Sequence, residues 1–397
     1  MKIQRHLNLK KSHLVFIHPH FTIPGGAGHV VLEVARRLPS THYRVTVLCI
    51  NVSREYRRQY PGIAFVETGG YLSSERFFWL SWQSQQRRVN RILDGLEPDI
   101  LLPSVLPANW WAFLYKKHRK KGFCLWYCHE PSAFIHSSEW RNAISDPLMR
   151  SGSRILAPLL KCIDRSLVRR FTDYVLCNSH FTEEQFRKTY RMEPQGYIHP
   201  GVDLNHFSPK GAKSNYLFVV SRLTRFKNID VAIEAFSRLK NGDHKLFIGG
   251  EGEEKANLQR LIDRLHLQDR VVILGGIPYE KLPLMYAGAK ILIFTTKNEP
   301  FGMVPVEAMA CGTPVIAANS GGVRETVQSG FNGILLDRMN PQSLSETIDC
   351  LLSDPEQYGY LQHHTRKSVE RFSWDLHVGR FQENLEKVTG KSLSKPI

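Results

Sequence analysis

A chain of 397 residues with 42 % apolar and 11 % aromatic residues can fill more than one ordinary core, which excludes a disordered protein and points to two domains. The formal net charge of +16 is unevenly spread: residues 1–200 carry 29 Lys+Arg against 15 Asp+Glu, and the remaining 197 carry 24 against 22. No apolar run approaches the roughly 18 residues that cross a bilayer, and seven irregularly spaced cysteines read as reduced cytosolic thiols, not as a disulfide framework.

The chain opens on the basic "MKIQRHLNLKKSH", and only "LVFI" follows it, too short for the apolar segment of a signal peptide. "HLVFIHP" reads as a strand, "PGGAGH" as a glycine-rich loop, "VVLEVARRL" as a helix and "YRVTVLCI" as a second strand. That β–loop–α–β order starts a doubly wound parallel sheet, continued by "PDILLPS", "CLWYCHEP" and "DYVLCNSHFT". Six of the seven tryptophans also lie in this basic half. In "NWWAFLYKKHRKK", Trp110 and Trp111 precede Lys116, Lys117, Arg119, Lys120 and Lys121. Helical spacing would group Lys117, Lys120 and Lys121 on a face suited to an anionic membrane, with the tryptophans at headgroup level.

Residues 199–215, "HPGVDLNHFSPKGAKSN", read as a linker, and the pattern then restarts. "YLFVVSRL", "HKLFIGG", "RVVILGG" and "AKILIFTT" are strands, with a helix from Asn228 to Leu239. The expected fold class is therefore α/β, with two Rossmann-like domains facing a cleft. The domains run over 1–200 and 201–375, and a C-terminal helix over 376–397 packs back toward the first. Ligands of such sheets bind at the C-terminal ends of the strands.

The densest chemistry is "NEPFGMVPVEAMACGTPVIAANSGG", Asn298 to Gly322. Pro305 suits a helix's first turn, so the amides of Phe301, Gly302, Met303 and Val304 would converge on one spot suited to phosphate. Glu299 and Glu307 border the same place, and a carboxylate can accept both hydrogen bonds of a vicinal diol. Either acid alone is explained by a helix cap or a solvated side chain. Both together around a phosphate site suit a nucleotide sugar.

This stretch resembles the E-x7-E signature of retaining glycosyltransferases with the GT-B fold, and "GTPVIAANSGG" and "GFNGILLD" are similar to that family too. The resemblance implies that Arg222 and Lys227 of "VSRLTRFKN" grip the diphosphate, and that Gly25, Gly26 and Gly28 touch it from the first domain. It implies that Glu307 holds the ribose diol and that Glu299 holds hydroxyls of the transferred sugar. His129 of "WYCHEP" is placed near that sugar, and Gly276, Ile277 and Pro278 near the base. Catalysis is then assigned to Glu299, His129, Arg222 and Lys227. No cofactor and no metal are expected: Cys124, Cys128 and His129 lack a completing cluster, and no D-x-D stretch is present.

Within the family, "YCHEP" and "NSHFT" look closest to GDP-mannose-dependent mannosyltransferases, with a UDP-hexose as the other donor. The implied acceptor is a glycan or a polyprenyl- or dolichyl-linked saccharide at the cytosolic face of a membrane. A nucleotide-sugar epimerase of the same fold is the nearest alternative. A basic nucleic-acid-binding protein is a further one, although no nucleic-acid motif is present and no nucleic-acid partner is expected.

Overall fold

The apolar runs become parallel strands, the central ones buried on both faces, which is what helices covering both sides of a sheet require. The computed structural model describes residues 11–389, apart from 24, 71–79, 138–140, 142–146 and 241. The basic stretch at 1–10, Trp79, Trp140, the proline of the glycine loop and the C-terminal 390–397 lie outside the described residues.

The first sheet holds β1 (Ser12–Ile17), β2 (Tyr43–Cys49), β3 (Ala64–Glu67), β4 (Ile100–Pro103), β5 (Phe123–Cys128) and β6 (Tyr174–Cys177), in the order β3-β2-β1-β4-β5-β6. The second holds β7 (Tyr216–Val220), β8 (Lys245–Gly249), β9 (Val271–Gly275), β10 (Ile291–Phe294), β11 (Val315–Ala318) and β12 (Gly333–Leu336), in the order β12-β11-β10-β7-β8-β9. Both are wound outward in two directions from their first strand. The order therefore reverses between β1 and β4 and between β7 and β10, where loops diverge and leave a crevice.

Six helices position the rest: α1 (Gly26–Arg37), α2 (Ala108–Arg119), α3 (Pro147–Phe171), α4 (His180–Tyr190), α5 (Met303–Ala310) and α6 (Trp374–Thr389). The first α1 turn follows the glycine loop, and its Val30, Val31 and Val34 pack on β1 and β2. Helix α6 belongs by sequence to the end of the chain, yet its Val378, Phe381 and Leu385 lie in that same first-domain cluster. The return is tight: Val202 N–H donates to the Phe372 carbonyl at 2.7 Å. A Cβ on Gly201 would stand 2.5 Å from the Trp374 ring, so only glycine lets the two segments cross.

The tryptophan-flanked lysine run differs from its expected form. Trp110 and Trp111 are core residues, packed with Trp82, Trp126 and Tyr190 and not at the surface. Trp110 Nε1 donates to the buried Asp164 carboxylate at 2.5 Å. Helix α2 ends at Arg119, and Lys120 is left-handed with φ 52°, so helical spacing does not carry through to Lys121. Lys116 pairs with Asp173 and Arg119 with Asp94. The tryptophans are buried because α2 must cover β4 and β5, and the apolar side of that helix is the one that carries them.

Candidate active site

Strands β7 and β10 are hydrogen-bonded neighbours, and the loop that leaves each one carries one half of a charged pair. After β7 the chain enters a 3-10 turn at Arg225–Lys227; after β10 it runs directly into Thr295–Gly302. Thr295 Oγ1 donates to the Lys227 carbonyl at 2.7 Å, which ties the two loops together. Lys227 Nζ then donates to Glu299 Oε2 at 2.7 Å. The lysine side chain is 11 % exposed and the glutamate 25 %, so water screens this pair less than a surface one. Arg222 lies exposed at the end of β7, and its guanidinium and the Lys227 ammonium are 5.9 and 5.4 Å from the centre of the Phe226 ring.

The loop carrying Glu299 is held by its backbone. Gly322 N–H donates to the Glu299 carbonyl at 2.8 Å, and Asn298 N–H to Ser320 Oγ at 3.1 Å. A Cβ on Gly321 would come 2.5 Å from the Glu299 carbonyl, and one on Gly322 2.2 Å from that of Pro300. The "NSGG" segment is thus glycine-rich because it lies flat against the loop. Gly302 caps α5 with φ 98°, a conformation that strains other residues. Helix geometry leaves the amides of Met303 and Val304 without an intrahelical acceptor, and Phe301 and Gly302 lead into them. Pro305 stands third in α5, and its missing N–H costs nothing there.

Glu307 lies inside α5, whereas Glu299 lies in the loop before it, and the two differ in environment. It is buried, and its Oε2 accepts from the Tyr286 hydroxyl at 2.8 Å. Burial pushes its carboxyl up to about 7, with the tyrosine bond pulling the other way. Of its two oxygens, Tyr286 takes one, and a diol donating to the other would stabilise the ionised form.

The first domain supplies the opposite wall. Gly25 and Gly26 stand at the start of α1 with open space where a Cβ would project, whereas a Cβ on Gly28 would meet His18 Nε2 at 3.1 Å. His129 directly follows the last residue of β5, and its ring is buried edge-on to Tyr127, centroids 4.9 Å apart. Among the described residues its Nε2 has no partner, and the small void beside it is walled by Phe16, Val30, Ser104, Tyr127 and Phe381. Burial, and then the nearby His377, lowers its pKa to about 3, so the ring is neutral at neutral pH.

Its neighbour Glu130 is the residue that addresses the second domain. Burial first, and then the Glu299 charge, pushes the Glu130 carboxyl up to about 7, while Arg222 and Lys227 pull it back. All four groups therefore share one electrostatic neighbourhood across the cleft. Sequence reasoning passed over Glu130 in favour of the histidine. The signal was present in "CHEP", an acid at the end of a parallel strand.

The walls meet at α4. Ser179 Oγ donates to the Pro300 carbonyl at 2.5 Å, so the first domain touches the Glu299 loop itself. Glu325 reaches back: its carboxylate accepts from His180 N–H at 3.0 Å, Phe181 N–H at 2.8 Å and His199 Nε2 at 2.7 Å. Burial pushes its pKa up, but the His199 bond and the two amides outweigh this and leave it lowered. Ser179, Tyr286 and Glu325 were also missed, since nothing local in the sequence marks them.

Gly276, Ile277 and Pro278 follow β9 at the sheet edge. Gly276 N–H donates to Glu251 Oε1 at 3.2 Å, and Ile277 Cδ1 fills the place where a Gly249 Cβ would stand, 2.4 Å away. The structure thus brings Arg222, Lys227, Glu299, Glu307 and the Phe301–Val304 amides to one side of the crevice. The glycine loop and the β5 end form the other side, and Gly276–Pro278 its edge.

The chain is matched by two family models in succession: Glycosyltransferase Family 4 over residues 24–206 and Glycosyl transferases group 1 over residues 204–368. An uncharacterized glycosyltransferase of Methanocaldococcus jannaschii is 33 % identical over 181 residues, 45 % of this chain and 46 % of that protein. A D-inositol 3-phosphate glycosyltransferase of Salinispora tropica is 24 % identical over 89 % of this chain and 79 % of its own. The chain otherwise spans about half the length of the curated relatives it matches. Among solved structures, a sucrose-phosphate synthase from Thermosynechococcus elongatus superposes with a TM-score of 0.81 at 19 % identity, covering 96 % of this chain and 100 % of that one. At that identity the likeness speaks for the fold alone: two parallel α/β domains of the GT-B type.

Proposed function

We propose that this chain, which belongs to the group 1 and family 4 glycosyltransferase superfamily, transfers a hexosyl group from a nucleoside-diphosphate sugar to an acceptor hydroxyl with retention at C1. The observation that carries this reading is the Lys227–Glu299 pair, set at the switch point beside the N-terminus of α5. A phosphate needs cations and amides at one place, and a sugar needs an acceptor of hydroxyl hydrogen bonds within reach of it. This corner supplies both.

In the reaction the bond between C1 and the phosphate oxygen breaks, and its electron pair leaves with the nucleoside diphosphate. Arg222, Lys227 and the amides at the start of α5 stabilise that developing charge, the kind of preorganised electrostatic help that usually dominates such catalysis. Glu299 orients the sugar hydroxyls, and Glu307 accepts from the ribose diol. The acceptor oxygen attacks C1 from the face the phosphate leaves, and its proton passes to the departing phosphate oxygen. Ser179 on Pro300 and the first-domain wall keep water, the competing nucleophile, away from C1. No metal is assigned a step, and activity is expected to persist in a chelator.

Among donors, the motif resemblance favours mannose from GDP-mannose, with a UDP-hexose second. The acceptor in this reading is a glycan or a polyprenyl- or dolichyl-linked saccharide. The deciding experiment is a screen of nucleotide sugars by ligand-induced melting shift, followed by the anomeric configuration of the product by NMR. An isomerised sugar formed without acceptor would replace transfer with epimerisation, and an inverted anomer would end the retaining mechanism.

A further inference from the structure

Helix α3 presents to solvent a face that a soluble helix ordinarily buries. Ile155 is 78 % exposed, Leu159 58 % and Leu156 51 %, and Ile163 follows one turn later. At 3.6 residues per turn these four form one strip about two and a half turns long. Elsewhere the exposed large apolar residues of the described chain are scattered, which is normal; here four fall within nine positions. The opposite side of α3 carries the buried Ala157, Asp164, Leu167 and Val168.

Charge defines what the strip fits. Residues 147–171 hold six cations, Arg150, Arg154, Lys161, Arg165, Arg169 and Arg170, against a single acid, Asp164. That acid points inward, where Trp110 Nε1, His136 Nε2 and the Tyr190 hydroxyl donate to it at 2.5, 2.8 and 2.8 Å. Among the described residues, α3 itself therefore presents no carboxylate on its outer face. Helical spacing sets Arg154, Arg165 and Arg169 along one flank of the strip and Arg170 at its C-terminal end.

We propose that α3 docks this chain on an anionic lipid surface, with Ile155, Leu156, Leu159 and Ile163 entering the headgroup–acyl boundary and the arginines meeting lipid phosphates. A second copy of the chain would bring a rim of the same sign against this one, on a molecule already at +16, and like charges oppose that contact. A membrane offers apolar depth and negative charge together, the combination interfacial helices use. The same helix supports the cleft, because Asp164 also accepts from Ser132 Oγ at 3.2 Å in the segment just after His129 and Glu130. Docking would thus hold the first-domain wall on the side of α3 turned away from the lipid. The proposal stands apart from the transfer reaction: a chain that binds vesicles and moves no sugar still satisfies it.

The test is co-sedimentation of the full chain with phosphatidylcholine vesicles, with and without phosphatidylglycerol. Expected are binding that requires the anionic lipid and weakens with salt, and a loss of about tenfold or more in the Ile155→Asp/Leu159→Asp variant. Arg154→Gln/Arg170→Gln should weaken it as well, and melting temperatures should stay at the wild-type value because all four side chains are exposed. No binding by the wild type overturns the proposal, as does binding indifferent to the apolar pair. Binding lost instead in Lys117→Gln/Lys120→Gln/Lys121→Gln would move the surface to the lysine run. A concentration-dependent dimer that the Ile155→Asp/Leu159→Asp variant dissolves would assign the strip to a second copy.

Discussion

The Lys227 ammonium stands 2.7 Å from the Glu299 carboxylate across 72 residues of sequence. The pair joins the ends of two adjacent strands at the point where the sheet reverses its order. In the proposed reaction the lysine serves two anions, the Glu299 carboxylate and the departing phosphate. Removing either partner changes what the other does.

Lys227→Ala should lower turnover by about 10²-fold or more, the typical cost of removing a transition-state donor, and Arg222→Ala similarly. Glu299→Gln should lower turnover more than nucleotide affinity. Because Lys227 and Glu299 touch, the double variant should fall short of the summed single effects by about 0.5–3 kcal/mol. Steady-state kcat/KM for the four proteins of this cycle gives the answer, and strict additivity would mean that the contact has no part in the reaction.

Glu307 makes a pH prediction. Its folded carboxyl titrates near 7 and its ordinary value is 4.5. As pH rises from 4.5 toward 7 the unfolded carboxyl ionises while the folded one stays protonated, so stability falls over that window and the cost is fully present above it. Glu307→Gln should therefore melt higher than wild type at pH 8, by a few degrees at most, with the difference closing near pH 5. The same change should weaken donor binding by about 1–3 kcal/mol, while wild-type affinity tightens through pH 7 as the diol selects the ionised carboxylate. Calorimetric binding from pH 6 to 8 separates the two effects.

Two glycines distinguish shape from conformation. Gly322 has an ordinary φ of −70°, but a Cβ there would sit 2.2 Å from the Pro300 carbonyl. Gly330 has φ 81° with open space around it. Gly330→Ala should cost about 1–2 kcal/mol of stability and leave turnover alone. Gly322→Ala must displace the Glu299 loop and should cut turnover at least as severely as Lys227→Ala. Equal turnover in the two variants would contradict a rigid loop.

Glu325 tests the domain junction. Its lowered carboxyl gives stability that is present above its ordinary value of 4.5 and is lost as pH falls through the folded one. Glu325→Gln leaves His199 Nε2 and the two α4 amides sharing a weaker acceptor, which should cost about 1.5–3 kcal/mol at pH 7. Thermal melts at pH 7 and pH 4 should show that deficit shrinking at the acid end. Faster proteolysis at the junction is expected alongside it.

What the sequence determined by itself is local. Apolar runs of strand length, the turn residues between them and the alternation of strand with helix name two doubly wound domains, because backbone hydrogen bonding and burial act on consecutive residues. The string from Asn298 to Gly322 marks its own chemistry, since the loop, the cap at Gly302 and the start of α5 are contiguous. Tertiary structure alone decided which side chains meet across long separations. It brought Glu130, just after β5, under the electrostatic influence of Glu299, Arg222 and Lys227, laid Ser179 on Pro300, and wrapped three carboxylate-seeking donors around Glu325. It also decided which side of each amphipathic helix is covered, turning Trp110 and Trp111 inward on α2 and leaving Ile155 and Leu159 outward on α3. A helical pattern states that a face is apolar; only the elements packed beside it determine whether that face is covered.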